Sequence, residues 1–197
     1  SSDLAHCVDE AEREDMLAWL YDEDRWPSGY AGGLVTKEPR YRARYLLFTK
    51  TPYYKGENYT ADGDSAARGS RTGKGTCLAS YDVKLDSKGY LQNYKQLKED
   101  EVAKGEKWYA YLEVASESEW FNNQTYVDTL NKEAIQKFIQ ITYGAYHNKV
   151  GDRFGKVIPA IFTDEPQFTH KTTLDSPFEG KDIIIPWTDD LRSEEHT

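Results

Sequence analysis

Long apolar runs are missing from this 197-residue chain, and none approaches the ~18 consecutive apolar residues that a transmembrane helix needs. No membrane partner is expected. Sulfur is scarce, with two cysteines and one methionine. Cys7 and Cys77 lie far apart in the chain and read as free thiols. Neither Cys-x-x-Cys nor His-x-x-x-His spacing occurs, so no zinc centre is expected. Positive charge is also in short supply: 25 Lys and Arg stand against 34 Asp and Glu, for a net charge of -9. A groove for nucleic acid is disfavoured by that balance. The one basic cluster, "KEPRYRARY" (37–45), reads as the solvated side of a helix. A phosphate loop is absent as well. "GSRTGKGT" (69–76) is too short between Gly69 and Gly73 for the Walker pattern, and Gly75 follows Lys74 where Ser or Thr is required. The opening "SSDLAHCVDEAERED" is polar and acidic, without the apolar centre of a leader; the compartment, cytoplasmic or exported, stays open.

Aromatic residues are plentiful, at 14% with 15 Tyr and five Trp. Disordered chains are poor in aromatics, so a packed core is expected. The same residues suit hairpins or a surface that stacks on sugar rings.

Residues 3–15 predict an amphipathic helix with Leu4, Cys7, Val8 and Ala11 on one face. "MLAWLYDED" (16–24) reads as a buried strand ending in carboxylates, and "WPSGYAGG" (26–33) as a loop. "PRYRARYLLFTK" (39–50) fits a short helix running into a strand. Residues 55–116 are expected to be an insertion: a flexible Gly- and Ser-rich excursion, then strands at 77–85, 89–97 and 106–116, the first two joined by the hairpin signal Asp86-Ser87-Lys88-Gly89. Residues 131–151 predict a helix capped by Asn131, with Ala134, Ile135, Phe138, Ile141 and Ala145 on one face. "GKVIPAIFTDEP" supplies another strand and "KDIIIPWTDDL" a further apolar run. Strand, helix and strand at this spacing predict α/β units around a parallel sheet.

Two of these apolar strands end in acids, at Asp22-Glu23-Asp24 and at Asp164-Glu165. In parallel α/β folds ligands bind beyond the carboxyl ends of the strands, so the two sets are expected to converge. Alternation puts Asp22 and Asp24 on one side and Glu23 on the other. Paired carboxylates suit glycoside hydrolysis, where one protonates the leaving oxygen and the other attacks or activates water. Trp26 and Trp187 are candidates to stack on a sugar, and His170 lies in the loop after Glu165. Asp22, Asp24 and Asp164 are hard oxygen ligands, so Ca²⁺ is the one cofactor left open and no metal site is otherwise expected. Two other readings stand beside the enzyme: a non-catalytic carbohydrate-binding module using Trp and Tyr, and a metal-dependent hydrolase built on the aspartates.

"WLYDEDRWPSGYAGG" (19–33), "YVDTLNKEAIQKFIQITYGAY" (126–146) and "IPAIFTDEP" (158–166) together resemble a group of bacterial (β/α)8-barrel glycoside hydrolases similar to the family-106 α-L-rhamnosidases. The resemblance covers roughly residues 3–50 and 120–190. It implies a TIM-type barrel whose fourth strand ends in Glu165 as general acid, with Asp22, Glu23, Trp26 and Asp164 shaping the substrate pocket. Asp164 stands where many related barrels carry Asn. A complete barrel needs about 250 residues. The resemblance therefore implies one partial-barrel domain over 1–197 from a larger glycosidase, with the second carboxylate in the remainder of the parent and the isolated chain inactive.

Overall fold

The computed structural model describes residues 2–54, 69, 71–174, 176, 178, 180–189 and 191. In chain order these form α1 (Ser2–Arg13), β1 (Leu20–Tyr21), β2 (Arg44–Thr49), β3 (Thr76–Leu85), β4 (Leu91–Leu97), β5 (Glu106–Val114), α2 (Lys132–Val150), β6 (Ile161–Phe162) and β7 (Ile183–Pro186), with short 3₁₀ turns between. Two compact units result. Unit 1 comprises 1–42 and 117–167, and unit 2 comprises 43–116 and 168–197.

In unit 1 the helical spacing of Leu4, Val8 and Ala11 brings one face of α1 onto a core of Val8, Leu20, Val150, Val157 and Ile158. Each such buried aliphatic side chain contributes about 1.5–3 kcal/mol relative to exposure. Cys7, placed on that face by periodicity, is exposed instead. Helix α2 starts where expected: the Asn131 side chain accepts from the amides of Glu133 at 3.0 Å and Ala134 at 3.3 Å. This cap satisfies two of the four amides that a helix N-terminus leaves unpaired and stabilises it by about 1 kcal/mol. Ala134 and Phe138 are its buried positions in the first turns. Strands β1 and β6 pair in parallel, Leu20 with Ile161 and Tyr21 with Phe162. The expected strand over 16–24 is thus only two residues long: residues 16–19 and 22–23 take no regular structure, and bends begin at Asp24.

Unit 2 is a five-stranded antiparallel sheet in the order β4-β3-β5-β2-β7. Strand β2 alternates strictly, with Tyr45, Leu47 and Thr49 inward. Phe48 stacks on Trp108 of the neighbouring β5, centroids 4.8 Å apart. The β3–β4 hairpin turns where the sequence signals it: the Asp86 carboxylate accepts from the amides of Lys88 and Tyr90 at 2.8 and 3.0 Å, an Asx-type turn. Strand β7, expected in a parallel α/β unit, pairs antiparallel with β2.

The (β/α)8 expectation is therefore overturned. Such a barrel alternates parallel strands with helices. Among the described residues there are two α-helices, one two-stranded parallel pair and a five-stranded antiparallel sheet. Most of residues 55–76, expected to be a flexible excursion, lies outside the described residues. No described helix is long and apolar enough to cross a membrane.

Candidate functional site

The loops that leave β1 and β6 do converge in unit 1. Ser28 ties them together. Its amide donates to the Asp164 carbonyl at 2.9 Å, and its hydroxyl donates to Asp22 at 2.6 Å while accepting from the Asp164 amide at 2.9 Å. Its carbonyl accepts from the Tyr126 phenol at 2.6 Å. Ser28 is 1% exposed, so these bonds are shielded from competing water. The next residue, Gly29, has φ +137°, and a Cβ there would lie 2.9 Å from a Val127 methyl. Only glycine fits this passage of the loop.

The three acids after β1 part company because the strand ends at Tyr21, and alternation ends with it. Asp22 turns inward and is 5% exposed. It accepts from Ser28 on one oxygen, and from Tyr143 of α2 and Thr163 at 2.7 Å each on the other. All its bonds come from neutral hydroxyls, which makes it the organising group beneath the two loops. Asp24 accepts from the Tyr30 phenol at 3.1 Å, and Asn122 approaches it at 3.4 Å. Glu23 meets Asp164 instead. The single Tyr21 hydroxyl lies 2.9 Å from Glu23 and 2.7 Å from Asp164.

One phenolic proton facing two carboxylates leaves the pair electrostatically crowded. The Glu23 carboxyl is pushed upward, first by burial and then by the charge and hydrogen bonding of Asp164, while its bond from Tyr21 opposes the shift. The Tyr21 phenol is held above its ordinary range, chiefly by its bond to Asp164. Phe162 lies beside the Tyr21 ring at 5.4 Å, and the Tyr146 phenol of α2 donates to the Tyr21 carbonyl at 2.5 Å.

Glu165 is turned away from Asp164 by its own backbone. Its φ of +40° is left-handed for a residue with a Cβ, a conformation that costs on the order of 1–3 kcal/mol and clusters at functional sites. The exposed carboxylate accepts from the Trp26 indole at 3.1 Å. The Trp26 carbonyl accepts in turn from the Trp120 indole at 2.7 Å, and Arg25 lies 5.8 Å from the Trp120 ring centroid. Arg25 is bonded to the carbonyls of Glu119 and Trp120, so it braces the aromatic edge.

Of the residues marked out by sequence, Asp22, Glu23, Trp26, Asp164 and Glu165 thus come together in unit 1. Trp187 does not join them: it belongs to unit 2, is 9% exposed, and donates to Asp189. His170 is exposed in unit 2. Tyr21, Ser28, Tyr126, Tyr143 and Thr163 were missed by pattern reading. Their signal was a hydroxyl beside each acidic cluster, at Tyr21 and Thr163, but nothing local marks Tyr143 or Tyr126. Among the described residues no group of three or more His, Cys, Asp or Glu is arranged to hold a metal ion. The chain matches no protein-family model, no curated protein and no solved structure.

Proposed function

We propose that unit 1 carries an acid–base site for glycoside hydrolysis, with Glu165 as general acid. The observation that carries this reading is the convergence of acids from the ends of two parallel strands, with Trp26 bonded to Glu165. Glycosidic cleavage needs a proton donor at the leaving oxygen and a second carboxylate for attack or base work. Glu165 is exposed to a ligand and held by an indole that also offers a flat apolar surface to a sugar. Glu23 and Asp164 supply further carboxylate from the same loops, and the upward shift on Glu23 favours proton storage there. Asp22 holds the loops and stays away from substrate.

The test is a panel of aryl glycosides and natural glycans with the full-length protein and its Glu165→Gln variant. The expected result is loss of turnover on natural glycans, whose leaving groups need protonation, and retained turnover on glycosides with activated aryl leaving groups. Unchanged turnover on natural glycans in Glu165→Gln removes Glu165 from the acid role. Glycan binding without any turnover favours the competing reading, a carbohydrate-binding surface built on the exposed Trp120 and its neighbours.

A further inference from the structure

Unit 2 contains a buried carboxyl that the proposed site does not use. Glu113 lies on β5 opposite Tyr45 of β2 and is fully buried, at 0% exposure. Strand β3 begins at Thr76, one residue short of covering it, and the preceding segment 71–75 crosses over the carboxyl as a strap. Gly75 permits that crossing: a Cβ there would lie 2.7–2.9 Å from the carboxyl atoms. Tyr53 and the Thr72 hydroxyl donate to its two oxygens, and the Thr72 amide stands at 3.5 Å.

No cation is bonded to Glu113 among the described residues. Arg71, on the same strap, is engaged elsewhere, with bonds to Asp182 at 2.8 and 3.0 Å, to the Thr49 hydroxyl at 2.7 Å and to the Thr51 carbonyl at 2.9 Å. Among the described residues, the other titratable groups placed near the carboxyl are Tyr45, Tyr53, Tyr111 and Asp182; Lys74 of the strap is exposed. The strap is therefore pinned at two carboxyls of different character, one paired with a guanidinium and one facing only neutral donors.

We propose that Glu113 makes the strap a pH-responsive latch, closed over the sheet while its carboxyl is neutral and released as it ionises. The neutral form is satisfied in place. One oxygen accepts from Tyr53, and the other, once protonated, donates its O–H to the Thr72 oxygen in place of the bond that Thr72 donates to the carboxylate; the Thr72 oxygen also accepts from the Lys74 amide at 3.0 Å. The ionised form puts an unpaired charge in a dry site, a cost that opening to water relieves. On ionisation the O–H bond is the only covalent bond broken and its proton goes to solvent, while the hydrogen bonds between Thr72 of the strap and the carboxyl open with release.

Burial pushes the Glu113 carboxyl from its ordinary 4.5 to about 7; the Thr72 amide opposes the shift and Asp182 adds to it. In the closed state the value is raised, and in the open state it returns to the ordinary one. Closure is thus strongest below 4.5, weakens as pH rises, and is at its weakest above about 7.

Hydrogen exchange at the amides of residues 72–76 in the full chain, corrected for intrinsic rates between pH 4 and 9, tests this. Protection is expected to fall about tenfold per pH unit inside the window, on the order of a hundredfold in all, and then level off. Amides of β2 and β5 away from the strap should keep theirs. Glu113→Gln, neutral at every pH, should abolish the fall. Flat protection in the wild type, or the same fall in Glu113→Gln, overturns the proposal. If the variant does not fold, the ¹³C-carboxyl titration of Glu113 in the wild type decides. A midpoint near 7 coinciding with the levelling-off supports the latch, and a midpoint in the ordinary carboxyl range overturns it.

Discussion

The indole Nε1 of Trp26 donates to the Glu165 carboxylate at 3.1 Å, joining the loop after β1 to the loop after β6 through their side chains. The bond is open to solvent, so its net worth is that of an ordinary hydrogen bond, about 0.5–1.5 kcal/mol. Trp26→Phe keeps an aromatic surface and removes the donor. In the proposed glycosidase reaction, turnover of a natural glycan should drop about 2–10-fold, the equivalent of that range. Thermal stability should change little, because Glu165 is exposed. An unaltered kcat/KM in Trp26→Phe would show that this bond does not position the acid.

Tyr21 stands between Glu23 and Asp164, and its bond is the one contact holding the Glu23 carboxyl down against burial and the neighbouring charge. Tyr21→Phe should therefore raise the Glu23 carboxyl further. A ¹³C-carboxyl titration of the wild type and the variant measures it directly. A downward move in Tyr21→Phe contradicts a Tyr21 hydroxyl that holds the Glu23 carboxyl down.

Asp22 is the acceptor for three hydroxyls, those of Ser28, Tyr143 and Thr163. Asp22→Ala strands all three in a buried place, and a loss of about 2–4 kcal/mol in urea-induced unfolding is expected. Asp22→Asn, which keeps one carbonyl oxygen, should cost less. Equal losses for the two variants would mean that side-chain volume matters here and hydrogen bonding does not.

Gly29 admits no side chain. Gly29→Ala imposes a strained φ and pushes against Val127 and the Tyr126 hydroxyl, 3.2 Å from the built Cβ. That hydroxyl donates to the Ser28 carbonyl and accepts from the Gln167 amide, so displacement there loosens the support of both acidic loops. A destabilisation of about 1–3 kcal/mol, read from a shifted urea midpoint at unchanged slope, is the expected outcome.

Local signals in the sequence determined the elements whose causes are local. Asn131 capping a run of apolar residues at helical spacing specifies α2, and Asp86 through Gly89 specify the hairpin, because both sets of bonds close within a few residues. The apolar run followed by Asp164 and Glu165 likewise places acids at the end of β6. Tertiary structure alone decided which strands pair. Ile183–Pro186 is apolar enough for a parallel or an antiparallel neighbour, and its pairing with β2 depends on residues far away in the chain. That is why the pattern suggested α/β units around a parallel sheet, and the resemblance a barrel, whereas the protein folds with a five-stranded antiparallel sheet in one unit and a two-stranded parallel pair with two helices in the other. The same holds for the acids. Asp22, Glu23 and Asp24 look alike in sequence, and their different roles come from Ser28, Tyr143, Asp164 and Tyr30 meeting them from elsewhere. Glu113 reads as an ordinary polar residue of an alternating strand. It is buried because Tyr53 and the Gly75 strap close over it, and no pattern within β5 carries that information.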